Sequence, residues 1–100
     1  KGAVLSMTMS IARDYVDKGI RCNCVCPGRV HTPFVDGYLA KNYPEEERGK
    51  MFRTLSEFQP IGRMGTPGEI AGLVAYLVSG QATFITGSAF EIDGGVTNLR

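Results

Sequence analysis

Apolar positions at the start of the chain recur at helical spacing. Leu5, Met9, Ala12 and Val16 form one stripe, and Val4, Met7, Ile11 and Tyr15 form a second. This pattern predicts a helix over 2–18 that stops at Lys18-Gly19, with a cation in the last turn followed by a glycine suited to a left-handed residue. A helix apolar on two sides is either deeply buried or packs on its own sheet and also on a partner. The spacing then changes. Residues 20–26 are a short apolar run predicted as a strand. Pro27 cannot donate to a ladder and Gly28 admits unusual dihedrals, so the strand ends there. A helix leading into such a strand is half of a βαβ unit and points to a parallel sheet.

From 33 to 60 the apolar residues are scattered among charges. Pro44 followed by Glu45, Glu46 and Glu47 suits a helix N-terminus, where acids complement the dipole, and Met51, Phe52, Leu55 and Phe58 then share one face. One or two short helices, arranged as a surface flap, are expected here. Thr66-Pro67-Gly68-Glu69 has the form of a capping box: Thr66 caps, Pro67 takes the first helical position and Glu69 reaches back. A mostly apolar helix follows through Leu77 and stops at Gly80. A last strand is expected over 84–92, interrupted at Thr86-Gly87, and Asp93-Gly94-Gly95 turns the chain away, with Asp93 bonding backbone. Nothing repeats internally and no linker is visible, so 1–100 reads as one segment of a single domain. The chain opens on Lys1 in mid-pattern, as a piece of a longer chain would.

Composition narrows the function classes. A formal charge of +1 with no dense Lys/Arg run gives no electrostatic footprint for nucleic acid. No apolar stretch is long enough to span a bilayer, and no signal-peptide pattern is visible. Cys22, Cys24 and Cys26 alternate along the predicted strand and so share one face, where neighbours lie roughly 6.5–7 Å apart, too far for easy disulfide closure. No Cys/His partner pair elsewhere completes a metal site. They are expected to be buried strand thiols, in keeping with a reducing, cytoplasmic compartment.

The order of elements and the runs Cys26-Pro27-Gly28-Arg29-Val30-His31-Thr32-Pro33, Gly62-Arg63-Met64-Gly65-Thr66-Pro67, Ile85-Thr86-Gly87 and Ile92-Asp93-Gly94-Gly95 resemble the last third of short-chain dehydrogenases/reductases. The resemblance covers essentially the whole chain. It implies an α/β fold, the C-terminal part of a Rossmann-type doubly wound parallel sheet, comprising its last two strands with flanking helices. Within the family pattern, Gly68 stands where an acid is more usual.

The resemblance also implies roles. Lys1 looks like the lysine of a Tyr-x-x-x-Lys motif, the tyrosine lying four positions before it. Spacing of four puts both on one helix face, where the ammonium lowers a phenol pKa of about 10. Lys1 would also bond the nicotinamide ribose. Pro27 and Gly28 open the cofactor loop, Val30 presents its backbone to the nicotinamide carboxamide, and Thr32 offers its hydroxyl to the carboxamide or a phosphate. Hydride transfer needs one ring face fixed against the substrate, which is why such anchors are required. Arg29, His31 and Phe34 flank the substrate side. Arg29 reads equally as a contact for an acidic substrate and as a surface arginine, and His31 as a solvated or substrate-edge residue.

The implied cofactor is NAD or NADP, and the implied substrate a small alcohol or carbonyl such as a sugar, a sugar acid or a short 3-oxo acid. A 3-oxoacyl carrier-protein reductase is the enzymatic alternative. A non-catalytic binding or assembly module is the other, since the first helix and last strand resemble surfaces through which family members form homodimers and homotetramers. Without the tyrosine, serine and glycine-rich loop expected before Lys1, the 100-residue chain by itself is expected to be inactive.

Overall fold

In the computed structural model, residues 2–100 are described, and they form two compact units. The first comprises 2–26 and 71–91, the second 27–70 and 92–100. The sequence reading of Lys1 lies outside the described residues.

The first unit opens with helix α1, Gly2–Tyr15, continued by a 3-10 turn, Val16–Lys18. Gly19 closes it at φ 73°, donating its N–H to the Val16 carbonyl, which is the left-handed stop the sequence called for. Strand β1, Cys24–Pro27, pairs with β2, Ala89–Ile92. Their register is parallel: the Cys24 N–H donates to the Ser88 carbonyl at 3.0 Å, and four residues on in both segments the Gly28 N–H donates to the Ile92 carbonyl at 3.1 Å.

Both strands are shorter than expected, for one shared reason. Residues 21–23 and 85–88 are tied together largely by side chains. Cys22 N–H donates to Thr86 Oγ1 at 3.1 Å, Asn23 Nδ2 donates to the Ile85 carbonyl at 3.1 Å, and Ser88 N–H donates to Asn23 Oδ1 at 3.0 Å. These bonds replace the ladder, and Gly87 at φ 71° bends the chain out of strand geometry. Phe84, expected to start the last strand, is fully exposed after a second 3-10 turn, Gly80–Ala82.

None of the three cysteines is in a disulfide, and all are half-buried, because among the described residues one neighbouring strand covers β1, and Cys22 lies outside the ladder. Ala12, Leu77 and Ala82 are the buried apolar residues of this unit. Of α1, only Thr8 and Ala12 are buried, so its two apolar stripes stay largely uncovered among the described residues. The deeply buried alternative for this helix is therefore not what the 100 residues build.

The second unit holds α2, Pro33–Asn42, and α3, Glu45–Glu57, which pack on each other, so the one or two short helices expected here are two. Pro44 sits at the α3 N-cap and Glu45, Glu46 and Glu47 fill its first turn, as the dipole favours. Arg48 then reaches back to the end of α2, donating from Nε to the Tyr43 carbonyl at 3.0 Å and from Nη2 to that of Ala40 at 3.2 Å. Helix α4, Pro67–Leu77, starts in this unit on the expected capping box. Thr66 N–H donates to Glu69 Oε1 at 3.0 Å, and Glu69 N–H donates to Thr66 Oγ1 at 3.2 Å.

Asp93 behaves as anticipated, its carboxylate accepting from the Gly95 and Thr97 N–H groups, both at 2.9 Å. A short final helix, α5, Val96–Leu99, was not foreseen. Gly28 corrects another expectation. Its φ is not positive, and glycine is needed because a Cβ there would lie 2.8 Å from the Asp93 Cα.

Candidate cofactor and substrate site

The loop that leaves β1 is held on both flanks within the second unit. Arg29 N–H donates to Gln59 Oε1 at 3.4 Å, the Arg29 carbonyl accepts from Gly65 N–H at 2.8 Å, and His31 N–H donates to the Gly65 carbonyl at 2.9 Å. Val30 and Gly65 thus form an isolated parallel bridge. In this bridge Gly65 bonds through its own N–H and C=O to the groups flanking Val30, which turns the Val30 N–H and C=O away. Accordingly, no hydrogen bond among the described residues engages the Val30 N–H or C=O.

Two residues on, Thr32 is the N-cap of α2, with extended φ −127° and ψ 168°, and its hydroxyl makes no capping bond. Its carbonyl accepts from Val35 and Asp36 N–H, which starts the helix. Pro27 and Gly28 bring the loop over Asp93, and Gly28 lets the two backbones touch. An open amide–carbonyl pair and an open hydroxyl two residues apart suit a planar carboxamide, which needs one donor and one acceptor, so these residues fit a nicotinamide.

Next to this loop lies a cleft of about 320 Å³, lined by Arg29, Val30, Phe34, Val35, Tyr38, Leu55 and Met64. Of the residues expected on the substrate side, the structure brings Arg29 and Phe34 to this cleft. His31 is not among its lining residues. Its Nε2 lies 2.8 Å from Asp36 Oδ1, and its ring meets Phe52 edge-on with centroids 5.0 Å apart. Tyr38, which the sequence did not single out, stacks edge-on with Tyr43 at 6.1 Å, and a hydrogen bond between the two phenols holds the Tyr43 pKa above its ordinary value.

Gln59 was also missed. It is 2% exposed, and its Nε2 donates to the carbonyls of Leu55 and Ser56 at 2.9 and 3.1 Å. The available signal was a single amide set between Phe58 and Pro60 at the end of an apolar helix face. Arg63 and Glu69 form a two-pronged ion pair at 2.8 and 3.0 Å. That pairing, together with the Thr66 N–H, draws the Glu69 carboxyl down from 4.5 to about 2.

A larger groove of about 500 Å³ lies in the first unit, but its one charged side chain, Arg21, is already bonded to the Ile85 and Ser79 carbonyls at 3.2 and 3.5 Å. No cluster of metal-binding side chains occurs among the described residues, and no helix among them is long and apolar enough to cross a membrane.

Residues 1–97 match the profile of a family described as enoyl-(acyl carrier protein) reductase. The chain is similar to 2-keto-3-deoxy-L-fuconate dehydrogenase of Xanthomonas campestris, with 42% identity over 98% of this chain and 32% of that protein. Among solved structures it is similar to a short chain dehydrogenase family protein from Francisella tularensis, with TM-score 0.84 and 35% identity over 97% of this chain and 41% of the other. It is also similar to L-sorbose reductase from Gluconobacter frateurii, complexed with NADPH and L-sorbose, with TM-score 0.87 and 28% identity over 97% of this chain and 38% of the other. The chain therefore spans roughly a third to two-fifths of the proteins it matches.

Proposed function

This chain belongs to the short-chain dehydrogenase/reductase family, and on that premise we propose that the protein it is part of transfers hydride between NAD or NADP and an alcohol or carbonyl group of a small molecule, such as a sugar or sugar acid. The observation that carries the reading is the open Val30 N–H and C=O beside the uncapped Thr32 hydroxyl. The nicotinamide ring, when bound, accepts or gives the hydride. The residues of this chain orient it. Val30 holds the carboxamide through its backbone, Thr32 bonds the carboxamide or a phosphate, and Pro27-Gly28 seats the loop by packing on Asp93. Lys1 would lower the pKa of the tyrosine phenol four positions before it and bond the ribose.

Arg29 and Phe34 face the substrate, and His31 with Asp36 and Phe52 steadies the flap beside it. The similarity to a sugar-acid dehydrogenase and to a sugar reductase supports a small polar substrate. The uncovered apolar stripes of α1 support assembly as a homodimer or homotetramer, and three cysteines outside any disulfide suit a reducing, cytoplasmic setting.

The test uses the full-length protein. Fluorescence titration with NADH and NADPH should show saturable binding, and sugars, sugar acids and simple alcohols should support cofactor turnover. Thr32→Val should weaken cofactor binding about three- to tenfold, the worth of one neutral hydrogen bond. A flat titration, or an undiminished affinity in the variant, would count against the reading and against Thr32 respectively.

A further inference from the structure

We infer that Arg29 anchors the negative end of the substrate, which makes the preferred substrate a short hydroxy or oxo acid. The inference rests on the proposed hydride-transfer reading and specifies its substrate class.

Arg29 is the one charged residue lining the cleft; Val30, Phe34, Val35, Leu55 and Met64 give it apolar walls. Its position is fixed at three points. The backbone N–H is held by buried Gln59, the carbonyl by Gly65 N–H, and the guanidinium carbon sits 4.3 Å from the Phe58 ring centroid.

Among the described residues, no side-chain hydrogen bond or ion pair engages the Arg29 guanidinium. Arg63 is matched by Glu69, and Arg48 and Arg21 are matched by backbone carbonyls. Among the described residues, neither ion pair includes Arg29. The Arg100 guanidinium lies over the same Phe58 ring at 3.7 Å, also outside both ion pairs. Two cations share this ring, and Arg29 is the one of them that also lines the apolar cleft. A carboxylate matches the planar fork of Arg29, while the apolar walls seat the carbon skeleton and the Tyr38 phenol is the other polar side chain lining the cleft. Such a cation, held in place before binding, lowers the ordering cost of each encounter.

The experiment compares 2-, 3- and 4-hydroxyalkanoates with their methyl esters as substrates of the full-length protein, in wild type, Arg29→Gln and Arg29→Lys. Wild type should prefer the acids. In Arg29→Gln the acid-over-ester ratio of kcat/KM should fall about 10- to 100-fold, through KM, as expected for a lost charge-assisted hydrogen bond, and Arg29→Lys should restore part of it. Butyrate binding, followed by calorimetry in the presence of cofactor, reads the anion site without turnover and should be lost in Arg29→Gln. Equal loss on acids and esters would mark Arg29 as merely structural and overturn the inference, as would butyrate binding that is absent or unchanged. A flat cofactor titration would instead overturn the hydride-transfer reading itself.

Discussion

Gln59 sends one amide in several directions. Its Oε1 accepts from the Arg29 N–H, while its Nε2 reaches the carbonyls at the end of α3, so the loop with the open Val30 groups is tied to the flap by a single buried side chain. Removing the amide while keeping the volume takes this partner from the Leu55 carbonyl and the Arg29 N–H, while the Ser56 carbonyl keeps the backbone N–H of residue 59. Gln59→Leu should therefore cost about 2–3 kcal/mol in urea denaturation, more than a surface change would. Gly28→Ala acts through a different cause, since its Cβ would press on the Asp93 Cα, and about 1–3 kcal/mol is expected from the same measurement. The sequence marked Gly28 as special and misassigned the reason, because close approach between segments 65 residues apart leaves no local trace. Val30 and Thr32 were legible as a motif. Their openness was not, since it depends on a bridge to Gly65 that no spacing rule encodes.

Among the elements, the start of α4 is the one whose chemistry was most fully written in the sequence, because a capping box is a local pattern with a local cause. What the pattern did not show was Arg63 joining it. With that ion pair the Glu69 carboxyl is held at about 2, below its ordinary 4.5. A carboxyl with a depressed folded-state pKa stabilises the fold fully above its unfolded value, and that contribution is lost as pH falls from about 4.5 towards 2. Thermal unfolding followed across that window should show Glu69→Gln flattening the acid-side loss of Tm relative to the unsubstituted protein. Exposure of the pair limits the size of the effect and makes it salt-dependent, so the flattening should shrink in high salt. The strands were read less well. Residues 20–23 and 84–88 carry strand-like side chains, yet Thr86, Asn23 and Gly87 take over their backbone bonding, a tertiary choice that outweighs propensity.

For the molecule as a whole, the uncovered face of α1 is the dominant physical fact. Val4, Met7 and Met9 are each more than half exposed, and Leu5, Ile11, Tyr15 and Val16 are each more than a third exposed, on a chain that spans roughly a third of the relatives it matches. Periodicity showed that both sides of this helix are apolar; it carries no information on what covers them. The isolated chain should self-associate, with sedimentation coefficients rising with concentration, and Val4→Glu with Met7→Lys should suppress that rise. The bridge between Val30 and Gly65 has a further consequence. It brings together the two ends of a 34-residue excursion, 31–64, which is further tied to the rest of the chain by Gln59 at the Arg29 N–H and by the Ile61 N–H at the Gly94 carbonyl, 3.0 Å away. That stretch can be exchanged with its counterpart from a relative as a cassette, provided a glycine and a buried amide are kept at its root, and the framework that presents the Val30 amide would carry new specificity without being rebuilt.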